Sequence, residues 1–243
     1  KVLKKGLNFD RRWMLVDKNN LFMTQRVFPK MALFKPFFDG ERLIIRFDSD
    51  QIELPADSST NMLEAQIWSD MVTTYEVSYR HSQWFSERMG VNCKLVFFPE
   101  ENTRPVDSLY AIDRDQTSLS DAFPFLIIGQ RSLDDLNKRL DSPVPMNRFR
   151  PNFVFTGGQP YEEDTWKEMT IGNNRFVGVK RCSRCALTTV NQDTGEKGVE
   201  PLKTLSTYRT IENKTYFGQN LIALDYQTVN VGDIIKTCQA ERS

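Results

Sequence analysis

Cys182 and Cys185 lie three positions apart in the stretch KRCSRCALTTVNQDTG, with Lys180, Arg181 and Arg184 around them. Thiols in such a setting suit a structural zinc site, a dithiol redox centre, or a soft ligand for a metal that carries an anionic organic group. Structural zinc needs four ligands. The other candidates are Cys93, Cys238 and His81, the sole histidine, and they form no second pair with ligand spacing. A redox CxxC opens a helix that follows a strand. ALTTV after Cys185 predicts a strand instead, and in extended chain positions three apart face opposite sides. Two buried thiols beside a turn are the plain structural alternative. The basic neighbours speak for the soft ligand, because nearby cations favour thiolate over thiol. Thiolate suits soft or high-valent metals, and the same cations could hold an anion attached to the metal.

The elements that must position these residues are mostly short strands. RWMLVD (12–17) and LFMTQR (21–26) predict a hairpin around KNN, and ALFKPFF and RLIIRFD predict a second around Asp39-Gly40. QIELPA is a further extended segment. SQWFSERMG (82–90) has helical spacing with Gly90 to end it, and CKLVFFPE (93–100) reads as a buried strand. Residues 101–122 are polar and without period, a linker or functional loop. FPFLIIG (123–129) is a strand, after which Ser132 is expected to cap a helix LDDLNKRL with Asp135 at the capping-box position. NFVFTGG (152–158) is a strand ending on two glycines. Turns at 172–174 and 192–195 bracket β-branched runs in which Thr188 and Thr189 read as strand residues, and LIALDY and VNVGDIIKT close the chain. With so few helices between strands, a doubly wound parallel sheet is excluded. The expected class is α+β, mainly β and barrel-rich, dividing near residues 110–118.

The 243 residues carry 32 basic and 32 acidic side chains, so net charge gives no bulk case for nucleic acid. The 40% apolar and 26% charged composition is that of an ordinary globular protein. No apolar run approaches the roughly 20 residues of a spanning helix. Four cysteines in this length suggest a reducing compartment, and a cytoplasmic location is expected.

CSRCALTTVNQDTG, followed by EPLKTLSTYR (200–209), resembles the MOSC domain, the C-terminal type of molybdenum-cofactor sulfurases. NRFRPNFVFTGG (147–158) and DAFPFLIIGQRSLDDLN (121–137) match the same family in the same order. GLNFDRRWMLVD (6–17) with MTQR resembles the β-barrel segment that precedes the domain in many members. The resemblance covers nearly the whole chain. It implies a smaller β-rich N-terminal domain at 1–112, with few helices and its first strand outside the sequence, and a MOSC β-barrel domain at 113–243. Within the family the chain looks most like the amidoxime-reducing enzymes, mitochondrial and bacterial. Those reduce N-hydroxylated compounds at a molybdenum held by one pterin dithiolene and one cysteine.

The motif's register then implies Cys185 as metal ligand and catalytic centre, with Ser183 and Arg184 lining the cofactor and Cys182 structural. Arg150, Asn152 and Arg11 would hold its pterin or phosphate. Each has an ordinary rival: Arg11 and Arg150 as strand-edge ion pairs, Asn152 as a turn residue. Arg209 is a secondary candidate for the pocket and Asp121 for proton delivery, while His81 is expected to be structural. The implied cofactor is the molybdenum cofactor (Mo-molybdopterin), without pyridoxal phosphate. The implied substrate is a small N-oxygenated compound. Some relatives carry a four-cysteine ferredoxin-like domain, whereas the end of this chain has only Cys238. Electrons are therefore expected from a separate protein of ferredoxin, flavoprotein or cytochrome type. Ala122-Phe123 departs from the family pattern and keeps open a fold that has lost its cofactor, while Asn220 departs where substrate preference is at stake; because MOSC domains also occur in sulfur-delivery proteins, the alternative is a cofactor or sulfur carrier without turnover.

Overall fold

The computed structural model describes residues 1–56 and 61–237; Cys238, weighed above as a ligand, lies outside the described residues. The chain divides into two compact units: Arg11–Arg104 with Val190–Lys197, and Lys1–Asp10 with Pro105–Thr189 and the chain from Gly198 onward. The first two strands, β1 (Val2–Leu3) and β2 (Gly6–Leu7), pair antiparallel within the second of these units.

The unit built on Arg11–Arg104 contains β3 (Trp13–Val16), β4 (Lys35–Asp39), β5 (Arg42–Phe47), β6 (Asp50–Leu54), β7 (Asn61–Ile67), β8 (Asp70–Glu76), α1 (Tyr79–Met89) and β9 (Lys94–Phe97). They form two antiparallel sheets, β3-β9-β8-β7 and β4-β5-β6. Alternation decides which face is buried: Ala65 and Ile67 on β7 and Val72 and Thr74 on β8 go inward while their neighbours stay wetter. Leu15, Ile45, Ile52, Phe85, Leu95 and Phe97 share one core. Helix α1 starts at Ser78, whose hydroxyl accepts the N–H of His81, and ends at Gly90 in the left-handed region, φ 75°. His81 is structural, as expected: its Nδ1 lies 2.7 Å from Ser78 Oγ and its Nε2 2.9 Å from the Glu53 carbonyl. The hairpin of β4 and β5 forms as expected. LFMTQR does not become a strand; it makes isolated bridges, Phe22 to Val16 and Leu21 to Gln66, because the chain turns at Thr24, whose carbonyl accepts from Val27 and Phe28. The β7–β8 hairpin was not anticipated.

The other unit holds β10 (Phe125–Gly129), α2 (Gln130–Asn137), β11 (Phe153–Phe155), β12 (Glu168–Ile171), β13 (Asn174–Ser183), α3 (Leu202–Ser206), β14 (Thr210–Ile211), β15 (Lys214–Ala223) and β16 (Ile235–Thr237). The sheet runs β11-β10-β15-β13-β12-β16, with β14 beside β15, and only β10–β11 is parallel. The protein is therefore mainly β with three helices among the described residues, the class expected. None of those helices is long and apolar enough to cross a membrane.

Ser132 does not cap α2. The helix begins two residues earlier, after Gly129, and Ser132 is buried inside it. The cap acceptor comes from elsewhere: the fully buried Glu163 carboxylate takes the Gly129 N–H at 3.2 Å and lies 2.9 Å from Ser132 Oγ. Burial raises the pKa of Glu163 above the usual carboxyl range.

Candidate functional site

The central pair of the second unit, β13 and β15, carries two register irregularities, the first just before the cysteines and the second at Cys182. One falls between Gly178 and Lys180, the other between Arg181 and Ser183. In the first the extra residue is Val179 on β13. In the second it lies on β15, around Gly218 with φ 84°, so the two slips offset each other. Both glycines are sterically required. A Cβ on Gly178 would stand 2.1 Å from the Trp166 carbonyl oxygen, and one on Gly218 would stand 2.7 Å from Ile128 Cγ1.

Beyond Ser183 the strand ends, and the ALTTV segment is not the strand its β-branched residues suggested. Ala186–Thr189 form a 3-10 turn. The Cys185 carbonyl accepts from the Thr188 N–H at 3.2 Å and from its hydroxyl at 3.0 Å, and the Thr189 hydroxyl reaches the Ala186 carbonyl at 2.8 Å. These local side-chain bonds compete with a ladder and win here. Arg148 secures the turn from outside. It is buried, and its Nε donates to the Thr188 carbonyl at 2.8 Å and its Nη2 to the Glu200 carbonyl at 2.9 Å. Desolvation lowers its pKa. Sequence reasoning missed Arg148. The available signal was an arginine between Met146 and Phe149 in NRFRPN, on what proves a short 3-10 turn.

Arg184 is the other organising side chain. Its Nη1 donates to Cys182 Sγ at 2.9 Å and its Nη2 to the Phe149 carbonyl at 2.7 Å, with the guanidinium 5.3 Å from the Phe149 ring centre. Its Nε–H is buried and has no hydrogen-bond partner among the described residues. Lys180 sits over the ring of Tyr110 at 4.1 Å and Arg181 over Tyr216 at 5.4 Å. Of the three cations expected around the thiols, the contact to sulfur is thus made by Arg184, and to Cys182. Cys182 and Cys185 are both half-buried thiols.

Asn152 ties its own segment to β10: its Oδ1 accepts the Leu126 N–H at 3.0 Å and its Nδ2 donates to Asp10 at 2.7 Å. Arg150, beside it, is exposed and held at φ 55°, and Arg11 at φ 51°, a left-handed region that non-glycine residues seldom adopt. Ser183 is exposed at the end of β13, opposite Tyr216. Arg150, Asn152, Ser183, Arg184 and Cys185 all fall in one unit, while Arg11 falls in the other. Arg209, a secondary candidate, is paired with Asp164 and stacked on Tyr161 at 4.2 Å.

No group of three or more His, Cys, Asp or Glu side chains that could hold a metal ion exists among the described residues. A metal near Cys185 would therefore draw most of its coordination from a non-protein ligand. A half-buried thiol close in sequence to an unsatisfied buried guanidinium N–H fits such a group, since that donor needs an acceptor.

The site is thus a cysteine turn at the end of a doubly bulged strand in a mainly β unit, and comparison with known proteins gives the class of protein that carries it. The chain belongs to the MOSC-domain family: the MOSC domain matches residues 114–236 and the MOSC N-terminal beta barrel domain matches residues 1–92. It is similar to the human mitochondrial amidoxime-reducing component 1, 33% identical over 95% of this chain and 73% of the relative. It is also similar to the bovine mitochondrial amidoxime reducing component 2, 31% identical over 96% of this chain and 72% of that protein. The Molybdenum cofactor sulfurase of Arabidopsis thaliana is 30% identical over 89% of this chain, which spans only 30% of that protein's length.

Proposed function

We propose that this chain binds the molybdenum cofactor through Cys185 and reduces N-hydroxylated or N-oxide compounds, with electrons from a separate donor protein. The observation that carries the reading is the Cys185 turn beside the buried, unsatisfied Nε–H of Arg184. Family membership and similarity to amidoxime-reducing components support it. When bound, the molybdenum cofactor would supply the two-electron chemistry that removes oxygen from nitrogen. Cys185 would be its protein ligand. Ser183, Arg184, Arg150, Asn152 and Arg11 would hold the organic part. The chain's own work is to fix the position of one sulfur through Arg148, Thr188 and Thr189, and to neutralise an anionic cofactor tail with guanidinium groups.

The test is expression in a host that makes the cofactor, with molybdenum and pterin measured per chain. Wild type retains both; Cys185→Ser loses the metal and Cys182→Ser keeps it. Metal that survives Cys185→Ser but not Cys182→Ser overturns the ligand assignment. A second reading is a cofactor or sulfur carrier without turnover, favoured by the comparable identity to a sulfurase. Bound cofactor that passes to an apo-enzyme, with no reduction of an amidoxime by chemically reduced protein, selects it.

A further inference from the structure

Cys182 is not simply a thiol packed away beside the site. Its sulfur lies 2.9 Å from Arg184 Nη1, while Arg184 Nη2 is fixed on the Phe149 carbonyl at 2.7 Å and the Arg184 backbone N–H on the Thr215 carbonyl at 2.7 Å. Phe149 itself is buried, and its ring flanks the guanidinium. Sulfur is a weak acceptor, yet here it closes the last degree of freedom of a planar five-donor group. With both terminal nitrogens occupied, the plane of the guanidinium is set. Of the three N–H donors left over, Nε–H is the one that is buried and without a partner among the described residues. A buried N–H without an acceptor costs roughly 1–3 kcal/mol. That cost is recovered if a ligand brings the acceptor.

We propose that Cys182 is a positioning residue: its sulfur, together with the Phe149 carbonyl, locks the Arg184 guanidinium so that Nε–H is the donor presented to the bound cofactor. The inference rests on the cofactor reading above and deepens it. Cys182 acts through Arg184 and does not itself touch metal. Groups that orient direct ligands typically change cofactor or metal affinity by about ten- to a hundredfold when altered.

Two substitutions separate acceptor from packing. Cys182→Val keeps an apolar side chain of similar size against the core cluster that includes Phe217 but removes the acceptor. Cys182→Ser keeps an acceptor but packs less well. Holo-protein from a cofactor-producing host is desalted, and pterin and molybdenum are followed by release kinetics. Positioning predicts that Cys182→Val releases the cofactor about tenfold faster than wild type, that Cys182→Ser stays within about threefold, and that Arg184→Ala is as fast as Cys182→Val. In the Arg184→Ala background, Val and Ser at 182 give the same rate. Retention that is as good in Cys182→Val as in wild type, or better than in Cys182→Ser, shows a packing role and overturns the inference. So does an additive effect with Arg184→Ala. Should Cys182→Val fail to fold by circular dichroism, Cys182→Ala takes its place with the same criteria. Wild-type protein that acquires no pterin fails at an earlier step and removes the cofactor reading itself.

Discussion

Replacing Arg148 by methionine isolates the contribution of one buried cation to the cysteine turn. Methionine follows much of the arginine stem but offers no donor. Two carbonyls, Thr188 at 2.8 Å and Glu200 at 2.9 Å, lose their partner together. A buried carbonyl left without a donor costs roughly 1–3 kcal/mol. Against this stands the relief of no longer burying a guanidinium, whose desolvation shows as the lowered pKa of Arg148. The balance is a destabilisation of about 2–4 kcal/mol. Urea unfolding of cofactor-free protein reads the total, and hydrogen exchange over 185–201 reads the locality, with faster exchange at Thr188 and Thr189 before the rest of the sheet. Arg148→Lys recovers less than half, because one ammonium cannot span both carbonyls as a fork does. A variant Arg148→Met that unfolds within about 0.5 kcal/mol of wild type, with unchanged exchange in the turn, refutes the assignment of Arg148 as its outer brace.

Gly178→Ala places a methyl 2.1 Å from the Trp166 carbonyl oxygen, so overpacking of roughly 1–3 kcal/mol or more is expected in denaturant melts. Gly90→Ala forces a side chain onto φ 75° at the C-cap of α1 and lowers stability by about 1 kcal/mol, read by the thermal midpoint. Glu163 gives a pH-dependent case: its folded pKa is raised by burial, so the folded state holds the proton more tightly than the unfolded chain. Stability from this group is full below the unfolded value near 4.5 and is lost as pH rises through the folded value. The stability difference between Glu163→Gln and wild type therefore moves in favour of the variant as pH rises above 4.5, and a difference independent of pH in paired urea titrations contradicts the assignment.

What the sequence made legible follows from how local each signal is. Strand β9, helix α1 with Gly90, and the β4–β5 turn at Asp39-Gly40 rest on neighbouring residues, and all three form as expected. The cap of α2 was misread because its acceptor, Glu163, lies 31 residues downstream of Ser132. ALTTV was misread because threonine hydroxyls can serve a turn as readily as a strand face, and the Cys185 and Ala186 carbonyls decided it. The candidate residues at 150, 152, 183, 184 and 185 were visible through family resemblance, and the structure gathers them in one unit. Arg148 was not visible, since its partners are backbone carbonyls 40 and 52 positions away and leave no pattern in side-chain types.

The cancelling slips on β13 and β15 make the distance along the chain to Cys185 a matter of counting. Removing Val179, or adding a residue near Gly218, would leave one offset without its counterpart. From Lys180 onward the strand would then have either to flip its faces or to change its partners on β15. The residue count of this stretch is set on two strands at once, so a single-codon deletion there displaces the turn that carries Cys185.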